Sequence, residues 1–200
     1  MKQGTAEWHQ ARLGKVTASR ISDVMARTKS GYGAGRKNYM AELLVERLTG
    51  EPAESFISSA MQWGTDHEAE ARTAYEFETA WLVSEVGFVD HPAIAFAGAS
   101  PDGLVGEDGL VEIKCPNTAT HIDTLLTKRV DRRYLLQMQW QMECTARQWN
   151  DYFSYDPRLV GHTWCLIRVE RDDAMLSDIR TEVEAFLADL ATLQAAVEAL

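Results

Sequence analysis

Hydrophobic spacing divides the chain into a helical first part, a strand-rich middle and a helical end. From Thr17 to Thr28, apolar Ile21, Val24 and Met25 fall on one side of a predicted short helix. Ser30 to Gly35 is rich in glycine and reads as a mobile loop. Helical spacing resumes from Asn38 to Leu48 through Met40, Leu43, Leu44 and Leu48, and Gly50-Glu51-Pro52 stops it. Residues 58–79 predict a long helix carrying Trp63, His67, Glu68, Ala71, Tyr75 and Phe77. The period then changes. Trp81 to Phe88, Ala93 to Ala97, Leu104-Val105 and Leu110 to Lys114 read as strands separated by Gly, Pro and Asp. Thr118 to Leu126 and Tyr134 to Thr145 are predicted helices, and Gln148 to Tyr155 and His162 to Val169 predicted strands. A last helix begins near Asp172. Its stripe of Ile179, Val183, Phe186, Leu187, Leu190, Leu193 and Val197 has the spacing of a helix that covers a core. This order predicts an α/β (α+β) fold with a central mixed β-sheet flanked by helices, in one domain spanning residues 1–200.

Composition adds bounds. Two hundred residues with 46% hydrophobic content suffice for a full core. No stretch approaches the length of a membrane span, and Met1 to Glu7 is polar rather than signal-like. The cysteines, Cys115, Cys144 and Cys165, are odd in number and lack a metal-type spacing, which fits buried thiols in a reducing cytoplasm. A net charge of −10 weighs against a nucleic-acid partner. The distribution softens that objection. Residues 1–47 hold nine Lys/Arg against four Asp/Glu, a balance of +5, and residues 170–200 hold eight acids against two bases. Lys128, Arg129, Arg132 and Arg133 form a second basic cluster.

The chemistry concentrates between Ser100 and Cys115. Pro101 precedes Asp102, and Glu112-Ile113-Lys114 follows ten residues later. Strand alternation puts Glu112 and Lys114 on one face and Val111 and Ile113 on the other, with Cys115 turned away from Lys114 into the core. Two carboxylates and a lysine converging on one point suit a magnesium site that cuts phosphodiesters. The lysine orients the attacking water or steadies charge on the phosphate. The same residues also fit an ordinary turn and a solvated strand face. On the helix over 58–79, Asp66, Glu68 and Glu70 are candidate third carboxylates. His67 has no second histidine at i+4, which rules out a zincin-like site. Near the N-terminus, Trp8, Arg12 and Thr17-Ala18-Ser19 combine an aromatic, an arginine and a helix start of the kind that grips phosphate, or else an N-cap and a surface arginine. Gln137 and Gln139 fall on different helix faces, so at most one reaches the site.

With these pieces placed, the chain resembles the phage λ exonuclease family, the YqaJ-type viral recombinase nucleases of the PD-(D/E)xK superfamily. The likeness rests on ordered blocks: Trp8-His9 through Arg12-Leu13-Gly14 to Thr17-Ala18-Ser19; Trp63-Gly64 with Glu68; Ser100-Pro101-Asp102-Gly103-Leu104; Glu112-Ile113-Lys114-Cys115-Pro116; Tyr134 with Gln137 and Gln139; and Tyr155-Asp156-Pro157-Arg158. It implies a restriction-endonuclease-like core and an enzyme that digests the 5′-ended strand of linear double-stranded DNA processively, 5′→3′, leaving 3′ overhangs for recombination. It implies that Asp102, Glu112 and the Ile113 carbonyl bind one or two Mg²⁺ ions, with Mn²⁺ as a substitute, and that Glu68 completes the acidic shell, directly or through water. Lys114 is then the water-positioning residue, and Arg12, Ser19, Ser100 and Gln137 form a 5′-phosphate pocket. A homotrimeric ring, a single-strand annealing partner, and a phage- or prophage-encoded cytoplasmic protein are implied as well. Met61 stands where an apolar wedge would part the terminal base pair, or where a core methionine would pack. Lys29 and Arg36, flanking the glycine loop, are candidate DNA contacts or solvated charges. A site-specific or structure-specific endonuclease and a non-catalytic DNA-end-binding scaffold are the alternative readings.

Overall fold

A computed structural model describes residues 1–29, 31–53 and 58–200. Helix α1 (Ala6–Arg12), capped by the Thr5 hydroxyl, leads into strand β1 (Val16–Thr17), a 3₁₀ turn at Ala18–Arg20 and the short helix α2 (Ile21–Val24). A small hairpin of β2 (Arg27–Thr28) and β3 (Gly31–Tyr32) precedes the long helices α3 (Ala34–Thr49) and α4 (Ser59–Thr79). Strands β4 (Val83–Ser84), β5 (Val89–Asp90), β6 (Ala97–Ala99), β7 (Gly103–Val105) and β8 (Gly109–Lys114) follow. Helices α5 (Thr118–Thr127) and α6 (Arg132–Thr145), strands β9 (Trp149–Tyr155) and β10 (Trp164–Glu170), and helix α7 (Asp173–Glu198) complete the chain.

The architecture is the expected mixed α/β one. The main sheet has five strands in the order β10-β9-β8-β7-β4. Its β8–β9 pair is parallel and the other pairs are antiparallel, so the chain crosses from β8 to β9 through α5 and α6. A three-stranded sheet, β1-β6-β5, lies apart from it. Alternation along the two central strands decides the packing. Val111, Ile113, Phe153 and Tyr155 join Ala71 and Tyr75 of α4 in one apolar cluster. The opposite face of the same strands is polar: Glu112 and Asn150 meet glutamines of α6, and Ser154 meets His121 of α5. Helix α6 turns its apolar side, Leu136, Trp140 and Cys144, toward α2, α3 and α7, where the second cluster sits. The stripe of α7 covers that cluster through Ile179, Val183, Phe186 and Leu190, all fully buried.

Several expected elements are shorter than their periodicity suggests, and each has a tertiary cause. The helix expected over residues 17–28 survives only at Ile21–Val24. Val16 and Thr17 pair with Ala97 and Gly98 instead, and the Thr17 N–H donates to the Tyr39 hydroxyl at 3.1 Å. Thr17 therefore caps no helix with its side chain. In place of a loop over 30–35, Gly31 and Tyr32 pair back on Thr28 and Arg27, and α3 starts at Ala34 rather than Asn38; Ser30 lies outside the described residues. The strand expected over 81–88 is reduced to Val83–Ser84, because the N-terminal segment occupies the adjoining stretch. There the Gln3 amide donates to the Val86 carbonyl at 3.0 Å, and a Cβ on Gly87 would lie 2.6 Å from the Met1 carbonyl oxygen. The strand expected over 93–97 begins only at Ala97, since His91 Nδ1 accepts the N–H groups of Ala93 and Ile94 and folds them into a turn.

Candidate active site

Strand β8 carries the chemistry and lies in the interior of the sheet, bonded to β7 on one edge and β9 on the other. Glu112 is completely buried. Its Oε1 accepts from Lys114 Nζ and, at 2.7 Å, from Gln137 Nε2. Its Oε2 accepts from Gln141 Nε2 at 2.6 Å, and Gln141 in turn accepts from Asn150 at 2.8 Å. Three donors thus fix both oxygens of a carboxylate that would otherwise be costly to bury. Asp102 follows Pro101 in the turn between β6 and β7, and its Oδ2 accepts the Ile113 N–H at 2.7 Å. This bond ties the turn to β8. In an extended strand the N–H and C=O of one residue point to the same side. The Ile113 carbonyl therefore opens toward Asp102, not toward Glu112's glutamines.

The charges of the site act on one another. Burial raises the Asp102 pKa well above its ordinary value, and the carboxylates of Glu112 and Glu68 raise it further. Lys114 and the Ile113 N–H act in the opposite direction. For Lys114, burial works to lower the pKa, but the charges of Glu112 and Asp102 outweigh it and the ammonium is held more firmly than usual. Cys115, packed in the apolar cluster under α4, is pushed up to about 12, chiefly by burial. It stays a thiol and supplies no nucleophile.

Asp102, Ile113 and Lys114 line a cleft of about 950 Å³ together with Ser19, Met61, Trp63, Glu68, Arg133, Tyr134, Gln137 and Arg158, among others. Ser19 and Gln137 thus stand in its walls. Arg12 and Ser100 form a separate pair beside the turn that holds Asp102. Arg12 Nη1 donates to Ser100 Oγ at 3.2 Å, Trp8 Nε1 donates to the same oxygen at 2.9 Å, and the guanidinium lies 4.1 Å from the Trp8 ring centre. Arg12 is partly buried and has no carboxylate partner among the described residues. A second cleft of about 540 Å³ reaches Asp102 and Glu68 from the side of Trp8, His9 and Arg72. The two carboxylates stand where the clefts meet.

Glu68 shares the cleft, but its Oε1 accepts from Arg72 Nη2 at 2.9 Å. Among the described residues no three His, Cys, Asp or Glu side chains converge closely enough to hold a metal ion. Asp102, Glu68 and Ile113 line the cleft, and Glu112 lies fully buried behind them with both oxygens bonded by Lys114, Gln137 and Gln141. Met61 is 57% exposed on the cleft rim, which excludes the core-methionine reading. Lys29 is exposed at the tip of the β2–β3 hairpin. Arg36 corrects the expectation of a DNA contact. It is 2% exposed, donates to the Val24 carbonyl at 3.0 Å, and pairs with Glu182 and Asp189 of α7. Its charge is already neutralised inside the fold. Gln139 serves structure, bonding the Glu170 carbonyl and the Asp172 N–H.

Gln141, Arg133, Tyr134 and Arg158 are part of the site or its walls but were not singled out for it by spacing. Gln141 had a usable signal: it is four residues after Gln137, on the same helical face. Arg158 had none. It is held by Asp156, a buried carboxylate also bonded by Thr118, and lies 4.1 Å from the Trp63 ring centre. Burial works to raise the Asp156 pKa, but those hydrogen bonds lower it to about 2.

Among solved structures, the alkaline exonuclease LHK-Exo from Laribacter hongkongensis superposes with a TM-score of 0.91 and 54% identity, covering 97% of this chain and 96% of that one. A structure of LHK-Exo in complex with dAMP matches equally well. A phage-related exonuclease from Haemophilus somnus 129PT shares the fold, with a TM-score of 0.76 at 15% identity, covering 92% of this chain and 96% of that one. No curated protein sequence matches the chain. The family model described as the YqaJ-like viral recombinase domain matches residues 7–148, most of the chain, and together with the high identity to LHK-Exo this places the protein in the YqaJ-like viral recombinase family.

Proposed function

We propose that this protein is a metal-dependent exonuclease that digests the 5′-ended strand of linear double-stranded DNA in the 5′→3′ direction, processively, leaving 3′ single-stranded overhangs. Family membership supports a nuclease role. The observation that carries the reading is Asp102, Ile113 and Lys114 in the wall of an open cleft, with Glu112 buried behind and bonded to Lys114. Asp102, Glu112 and the Ile113 carbonyl are hard oxygen donors. Mg²⁺ is served by one or two carboxylates because it keeps several of its waters. The like charges that raise the Asp102 pKa are the repulsion a cation would relieve. Mg²⁺, or Mn²⁺ in its place, would be held by these atoms, with Glu68 acting through water. When bound it supplies Lewis-acid neutralisation of the phosphate and a more acidic water.

The chain's own residues do the rest. Lys114, charged and fixed by Glu112, donates from Nζ to the attacking water or to the phosphate oxygen on which charge grows. Gln137 and Gln141 keep Glu112 from turning away. Arg12, desolvated and without an acid partner, is suited to an anion from outside, and Ser100 shares its position. With Ser19 and Gln137 it would receive the 5′-phosphate. Each cut exposes a new 5′-phosphate, and seating it would bring the next scissile bond over the carboxylates. The product would be a deoxynucleoside 5′-monophosphate, the class of molecule present in the LHK-Exo–dAMP complex. Met61 on the rim would meet the terminal base pair, and Lys29 the duplex outside. A homotrimeric ring and a single-strand annealing partner belong to the same reading and rest on the family resemblance alone.

The test is digestion of an end-labelled linear duplex, with and without 5′-phosphate, beside a closed circle. Mononucleotide release from the phosphorylated 5′ end with the circle intact is the expected result. Rapid cutting of circles would replace this reading with an endonuclease, and DNA-end binding without Mg²⁺-dependent release would replace it with a scaffold.

Mg²⁺ affinity is expected to rise with pH. A metal needs Asp102 ionised, and the pKa of Asp102 is raised, so at lower pH a proton competes for the same oxygens. Calorimetric titration of Mg²⁺ into the DNA-free protein at several pH values should show tighter binding and more complete metal loading as pH rises. Affinity independent of pH would remove Asp102 from the metal site.

A further inference from the structure

We infer that the segment joining α5 to α6, residues 128–133, is a phosphate-backbone track that holds DNA outside the catalytic cleft; the inference rests on the nuclease reading above. In a chain of net charge −10 the overall field repels DNA, so attraction must come from local cations that the fold has left uncompensated. Nearly all arginines are spent internally: among the described residues each one outside this segment donates to a carboxylate, a carbonyl or a hydroxyl of the chain. Arg129 and Arg132 do neither. Both are exposed and have no partner among the described residues.

Position strengthens the argument. Helix α5 ends at Lys128, whose backbone is left-handed at φ 51°, so the chain turns sharply and presents four bases against one acid, Asp131. Arg133 reaches the cleft wall, where it lies 4.4 Å from the Tyr134 ring centre and donates to the Tyr134 hydroxyl at 2.8 Å. On the cleft side, Lys114 Nζ is 5.2 Å from the centre of the same ring. Arg133 thus stands with Tyr134 at the cleft wall, and the exposed Arg132 and Arg129 continue the same segment at the surface. A polyanionic strand is the ligand whose charge has the same continuity.

The test compares DNA-end binding by the Lys114→Ala protein, used so that the DNA stays intact in Mg²⁺, with the same protein carrying R129S and R132S. Losing two phosphate contacts should make the slope of log affinity against log salt shallower by about 2. Between 50 and 200 mM salt the parent should then lose about tenfold more affinity than the variant. An unchanged slope, with linear DNA degraded normally by the wild-type protein, overturns this inference and leaves the nuclease reading standing. An altered oligomeric state with an unchanged slope would assign the two arginines to a contact between copies, also overturning it. If the wild-type protein neither binds nor degrades linear DNA, the nuclease reading fails and this inference with it.

Discussion

Lys114→Ala is expected to lower Mg²⁺-dependent nucleotide release by about a thousandfold, the scale seen when one preorganised donor to a developing anion is removed. Binding of DNA ends should change little. The geometry explains the division. Lys114 Nζ is held at the cleft floor by Glu112, beside the carboxylates, while the groups suited to gripping phosphate, Arg12 and Ser100, are bonded to each other and not to the lysine. The substitution also removes the positive charge that opposes the rise in the Asp102 pKa. Residual activity should therefore be lost at higher pH than in the wild type as pH is lowered. Single-turnover release from an end-labelled duplex, with binding measured in parallel, checks both points. A loss smaller than tenfold would mean the lysine is not the positioning donor. Loss of end binding in step with cleavage would mean that it grips DNA.

Arg12→Ala should act on substrate choice instead. The preference for a phosphorylated over a hydroxyl 5′ end is expected to fall by about ten- to a hundredfold, the range for charge-assisted hydrogen bonds to one anion. Cleavage of hydroxyl ends should be nearly unaffected, because Trp8 keeps its own bond to Ser100 Oγ and the turn before Asp102 stays supported. The measurement is initial rate on two duplexes that differ only at the 5′ end. An unchanged ratio would contradict the pocket assignment. A proportional loss on both ends would make Arg12 a support for the turn, not a reader of phosphate.

Where a residue's environment is set by its own element, the pattern was a sound guide. Alternation through Val111–Lys114 separated a polar face from an apolar one, and the structure divides those residues the same way between the glutamines of α6 and the cluster under α4. The opposed faces of Gln137 and Gln139 follow equally from helix geometry. Arg36 and Arg12 mark the limit. Each is an arginine near glycine, and nothing local distinguishes them. The difference lies in distant chain: Arg36 is met by Glu182 and Asp189, while Arg12 is bonded among the described residues to Ser100 and stacked on the Trp8 ring. Glu68 teaches a related lesson, since its pairing with Arg72 follows from i+4 spacing but its place beside Asp102 in both clefts depends on how α4 packs on the sheet. Strands β1, β2, β3 and β5 escaped because two-residue pairings are chosen by the partner segment and leave almost no periodic trace.

The interior position of β8 has a consequence for how the protein tolerates heat and varied DNA ends. Releasing Glu112 or Ile113 requires opening the β8–β9 ladder, where they pair with Tyr152 and Phe153, and for Ile113 also the bond from its N–H to Asp102. Met61, by contrast, projects from the first turn of α4 with more than half its surface exposed and is free to change rotamer rapidly. Under the proposed reaction, the rim would adapt to the shape of an incoming end while the groups of β8 stay in register. In the proposed reaction, loss of the β8–β9 pairing would carry the catalytic geometry with it, so heat inactivation is expected to track unfolding of the sheet.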